Sequence, residues 1–126
     1  MEVARASEVA PIHTPEGIMR PLLFAENLSL IHLEVPAGLN VPPHAHEREG
    51  VVYCLSGRVD LVLEDGATVE LAKDSAARVQ PGQAVGLRNP GAETAELLLV
   101  SSPPGARSAD ELRARIEAAM AKHGTH

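Results

Sequence analysis

The chain's 126 residues fit a single domain large enough to bury about two-thirds of its unfolded surface. Seventeen acidic against eleven basic side chains give a net charge of −6, with no basic stripe of the kind a nucleic-acid binder needs. The opening MEVARASEVAP lacks the apolar centre of a signal peptide, and no apolar run approaches a membrane span, so a cytoplasmic protein with no membrane partner is expected.

One Phe (Phe24), one Tyr (Tyr53) and no Trp make the core aliphatic and leave few rings to stack on a planar ligand. Cys54 is the only cysteine, so an intrachain disulfide is impossible; it reads as a reduced, buried thiol.

In chain order, Leu28–Val35 is rich in branched aliphatics and stops at Pro36, as a strand would. Asn40–Val41 and the pair Pro42-Pro43 lead in extended form to His44. Val51–Leu55 is a short apolar run, Ser56-Gly57 a turn, and Arg58–Glu64 alternates with period two. Asp65-Gly66 signals a hairpin into Ala67–Leu71. Strands at Ala77–Gln80 and Ala84–Arg88 flank the turn Pro81-Gly82, and Glu93–Ser101 follows Asn89-Pro90-Gly91. Short strands at such regular spacing predict a β-sandwich or barrel. Ser108 and Glu111 then have capping-box spacing. Leu112, Ile116, Ala119 and Met120 share one helical face, and Gly124 suits the C-terminal cap. Such a helix packs on its own barrel or across a subunit interface.

The chemistry concentrates at His44 and His46. On a continuing strand the two rings point to one face, about 7 Å apart at their backbones, and can converge on one ion. Taken alone, the pair is weak evidence and fits two exposed loop histidines better.

The wider pattern resembles the cupin superfamily. Gly38, His44-x-His46 and Gly57 match its first motif, and Asp74 with the run from Pro81-Gly82 to Asn89-Pro90-Gly91 is similar to its second. The likeness covers about residues 18–101. It implies an all-β fold: a cupin-type jelly-roll β-barrel with a C-terminal α-helix, divided as an N-terminal segment (1–17), a barrel (18–104) and a helix with its tail (105–126). It also implies a small-molecule ligand and a homodimer paired through N-terminal strands or the 108–122 helix.

Departures from the motifs fall at the ligand positions. Gly50 stands where the family places its carboxylate, and Val85 where it places a third histidine. Iron held by three histidines, as in the thiol-dioxygenase branch, is ruled out by Val85. Two readings follow. In one, His44 and His46 with Glu49, turned inward by a bulge, hold a divalent ion such as iron, manganese, zinc or nickel. In the other, the pocket holds a ligand without metal. Pocket candidates are His44, His46, Gln83 and His32; the catalytic residues and the reaction are open. Glu47, Arg48, Arg58, Arg78 and Arg88 are expected in solvent, and so are His13, His123 and His126 near the ends.

Overall fold

A computed structural model describes residues 1–123. Ten strands follow a single 3₁₀ turn at Ala6–Glu8: β1 (Ile12–Thr14), β2 (Gly17–Phe24), β3 (Ser29–Val35), β4 (Asn40–His44), β5 (Glu49–Ser56), β6 (Arg58–Leu63), β7 (Thr68–Ala72), β8 (Ala76–Val79), β9 (Val85–Arg88) and β10 (Ala95–Ser102). The helix α1 (Ala109–His123) comes last. The six-stranded sheet has the order β1-β2-β3-β10-β5-β8 and the four-stranded sheet β4-β9-β6-β7; every pairing is antiparallel. This is the jelly-roll sandwich that the strand spacing predicts.

Alternation fills the space between the sheets. Leu33 and Val35 of β3, Cys54 of β5, Val59 and Leu61 of β6, Leu71 of β7 and Leu97 of β10 form an aliphatic core at one end. The buried Asn89 fastens the adjoining loop. Its side-chain amide donates to the carbonyls of Val35 and Glu93, both at 2.9 Å, and its oxygen accepts from Gly91 N–H at 3.0 Å. Asp74, where the similar motif has glycine, sits in the left-handed region (φ 63°), which aspartate tolerates better than most residues.

The seven strands expected from Leu28 onward all form, with ends shifted by a few residues. The first hairpin, β1–β2, lies partly upstream of residue 18 and is not among the strands expected from the sequence. Its second strand carries Pro21, which argues against a central strand. The register eases the conflict: β1 pairs only with Gly17–Met19, so from Arg20 onward β2 has a neighbour on one side only, where proline is tolerated.

Ser108 Oγ caps α1 by accepting Glu111 N–H at 3.1 Å, while the Glu111 carboxylate reaches Arg107 N–H at 3.2 Å, one residue before the expected partner. Leu112 and Ile116 pack against the chain's own core. Met120, expected on that face, is instead exposed. Gly124, expected as the cap, and His126, expected in solvent, fall outside the described residues, as does the side chain of His123.

Candidate functional site

Three side chains from two distant segments meet at the open end of the barrel. Glu16 sits at the tip of the β1–β2 hairpin. Thr14 Oγ1 accepts Glu16 N–H at 3.0 Å and donates to the Gly17 carbonyl at 2.9 Å, which locks the turn. Gly17 has φ +126°, and a Cβ there would lie 2.3 Å from the Glu34 carbonyl oxygen. Only glycine lets the hairpin approach β3 this closely.

His44 ends β4, an edge strand that tolerates Pro42-Pro43. The register against β9 shifts between Val41 and His44, and the chain bulges there onto Gly86. A Cβ at Gly86 would come within 2.5 Å of the Val41 carbonyl oxygen. The strand stops at His44, so His46 lies in the following loop and simple strand alternation does not place it. Instead Gly82 N–H donates to the His46 carbonyl at 2.8 Å and ties the loop to the β8–β9 turn. The rings still converge, edge to face, with centroids 4.7 Å apart.

His44 Nε2 lies 2.9 Å from Glu16 Oε1, and its Nδ1 lies 3.2 Å from the Pro42 carbonyl oxygen. The nitrogens of His44 and His46 and a Glu16 oxygen all fall within 4.8 Å of one another. A divalent transition ion with bonds of ~2.1 Å spans at most about 4.2 Å between opposite ligands, so small side-chain rotations suffice to close the set. Two imidazoles and one carboxylate suit such an ion and leave positions open. The residues fit a metal. Partial burial first, and the neighbouring His44 next, hold the His46 imidazole below its usual pKa; Glu16 pulls the other way and Arg48 adds a smaller downward push. Neutral His46 has a lone pair to offer.

Behind the cluster lies a cavity of about 580 Å³ between the sheets, walled mainly by aliphatic side chains such as Met19, Ile31, Val52, Leu87 and Leu99. Gly50 and Val85 both line it. Leu112, Ile116 and Ala119 of α1 form one side, so the helix walls the cavity mouth. Polar groups gather at that mouth: Glu16, His44, His46, Arg48, Glu49 and Arg115.

The remaining sequence candidates separate. Glu49 reaches the cavity rim, but its carboxylate pairs with Arg78 at 3.2 Å, and the acid beside the two histidines is Glu16. His32 lies between the cavity-lining Ile31 and Leu33, hence on the outer face of β3. There its Nε2 meets Glu96 at 3.3 Å while its buried Nδ1 has no partner among the described residues. Gln83 is exposed in the β8–β9 turn, its side-chain oxygen accepting Gln80 N–H at 3.1 Å, and it does not line the cavity behind the histidines. Cys54 belongs to the core, and burial pushes its thiol pKa up. Arg58 and Arg88 pair on the surface with Glu70 and Asp60.

Sequence reasoning missed Glu16 and Arg48. The Pro15-Glu16-Gly17 turn was a usable signal for the first. Arg48 was expected in solvent like its neighbour Glu47. Glu47 is exposed, but Arg48 turns into the cavity mouth with Nε buried and unbonded.

The family profile described as "Cupin domain" matches residues 31–101. Among solved structures, the polyketide cyclase RemF from Streptomyces resistomycificus is similar at 27% identity and a TM-score of 0.73, covering 81% of this chain and 79% of its own. The protein TT1209 from Thermus thermophilus aligns at 29% identity and a TM-score of 0.66, over 82% of this chain and 99% of its own. Ectoine synthase from P. lautus shares the fold at 21% identity and a TM-score of 0.73, over 82% of this chain and 79% of its own. No curated protein matches the chain.

Proposed function

The chain belongs to the cupin family, and from that premise we propose that it binds a small organic molecule in the barrel, beside a divalent metal held by Glu16, His44 and His46. The observation that carries this is the convergence of two imidazoles and one carboxylate at the mouth of an apolar cavity. The family's usual carboxylate and third histidine are absent at Gly50 and Val85, and Glu16 supplies an acid from another strand pair. A divalent ion held by Glu16, His44 and His46 would supply Lewis-acid or oxygen-activating chemistry there. This chain's own contribution is to line the site with aliphatic walls and to hold His46 neutral, its one lone pair free for the ion. The polyketide cyclase among the similar structures favours turnover of an organic substrate over binding alone.

Metal analysis of the purified protein, followed by zinc and manganese titration of the parent and Glu16→Gln, tests the reading. Loss of the acid should weaken binding by at least the ~10–100-fold that losing an outer-shell partner costs. Unchanged affinity in a folded Glu16→Gln protein removes Glu16 from the site.

A second reading, a metal-free binding module, has its own support. Both ring nitrogens of His44 already lie against oxygen atoms, Glu16 Oε1 at 2.9 Å and the Pro42 carbonyl at 3.2 Å, so this ring is engaged with no ion present. A protein purified without metal, taking up none on titration yet binding small molecules, decides for this alternative. We also read the chain as a homodimer paired along exposed sheet edges, a matter for light scattering. The reduced Cys54 supports a cytoplasmic setting, which cell fractionation tests.

A further inference from the structure

Five of the arginines in the described residues pair with an acid: Arg20, Arg58, Arg78, Arg88 and Arg115. Arg48 pairs with none among the described residues, although it lines the cavity and its Nε is buried without a hydrogen bond. An unpaired guanidinium with a desolvated N–H is costly and calls for an acceptor. The chain is shaped to keep it there. A Cβ at Gly105 would lie 3.2–3.4 Å from the Nη2, Cζ and Nε atoms of Arg48, so the guanidinium lies flat against a residue with no side chain. Arg115, from α1, donates to the Gly105 carbonyl and also borders the cavity. Two guanidinium groups thus flank one end of a pocket whose walls are otherwise largely aliphatic.

From this placement we infer that the cavity takes a small carboxylate with an apolar body, its carboxylate held by Arg48 and its hydrocarbon portion against the aliphatic walls. A planar guanidinium matches a carboxylate in two parallel hydrogen bonds, and the two Nη groups, which unlike Nε are not closed off, present that fork. The apolar walls exclude a ligand charged along its length. Arg115 is already bonded to Glu111 and the Gly105 carbonyl, so it adds field and Arg48 supplies the contact. The inference rests on the reading that the cavity is a ligand site and is independent of whether metal binds.

Calorimetric titration with octanoate, octanol and octylammonium, in EDTA and again with zinc, tests it on the unmodified protein. The expected order is octanoate tightest by at least tenfold, octanol weaker and octylammonium weakest, with the order kept in EDTA. Arg48→Gln should erase the preference for octanoate over octanol, and Arg48→Lys should restore part of it; thermal melting confirms that both variants fold. A preference for octanoate that appears only with zinc overturns the inference and assigns the carboxylate to the metal. Equal binding of octanoate and octanol overturns it while leaving the cavity a ligand site. No binding of any of the three overturns both.

Discussion

At the scale of single residues, the site is decided by which side chains have been removed as much as by which are present. Gly50 and Val85 line the same cavity as the histidines, and Val85 is the direct ladder partner of His44. A Cβ on Gly50 would meet only the Val100 carbonyl oxygen, at 3.7 Å, an ordinary contact, so a side chain fits there. The double change Gly50→Glu with Val85→His should therefore raise zinc or manganese affinity at least about tenfold, equivalent to ~1.4 kcal/mol, read by calorimetry. No gain in a folded variant means the two positions do not share a centre with His44 and His46. Cys54 yields a prediction about pH. Burial raises its thiol pKa in the folded state, so the folded chain keeps a proton that the unfolded chain has lost. The stabilisation is whole below the ordinary thiol pKa, near 9, and declines as pH rises through the folded value. Urea unfolding from pH 7 to pH 10 should show the parent's advantage over Cys54→Ala narrowing above about pH 9. A constant gap counts against the shift.

Among the elements, legibility followed the range of the interactions. β5, β6 and β10 announced themselves by local aliphatic runs and turn residues, signals contained within each segment. β1 and β2 did not, because Pro21 is acceptable only where no neighbour needs its N–H, and that depends on how far β1 extends. The site was half legible for the same reason. His44 and His46 stand one residue apart and could be read directly. Glu16 reaches them only because the β1–β2 hairpin folds back along β3, a pairing no local pattern reveals. Arg48 looked like one charge in a charged loop until the Gly105 segment was seen against it. The hairpin's dependence on Gly17 makes this testable. Gly17→Ala forces a Cβ against the Glu34 carbonyl at a positive φ, and strain of this kind costs of order 1–3 kcal/mol. We expect a lower melting temperature together with weakened metal binding, since Glu16 is the adjacent residue. A variant that melts lower but binds metal as tightly as the parent shows that the hairpin's position does not control Glu16.

For the whole molecule, the helix decides how closed the barrel is. The core cluster is made of strand residues, and α1 meets it through partly buried side chains, chiefly Leu112 and Ile116. Those two also wall the cavity. The fully buried core thus holds no helix residue, whereas the cavity wall does. Replacing both with aspartate, Leu112→Asp with Ile116→Asp, removes two half-buried apolar contacts. Each should cost roughly half of the ~1.5–3 kcal/mol that full burial of such a side chain contributes. The expected protein keeps its β-sheet circular dichroism and melts at a lower temperature. It should bind the dye ANS more strongly than the parent, because the aliphatic walls are opened to water. The same variant addresses assembly. Since Leu112 and Ile116 of α1 pack on the chain's own barrel, we place the proposed homodimer contact at the sheet edges, of which β1 is one. Light scattering should then give the same dimer mass for parent and variant. A monomeric variant beside a dimeric parent would move the interface to the helix, and unchanged ANS binding would show that α1 does not close the cavity.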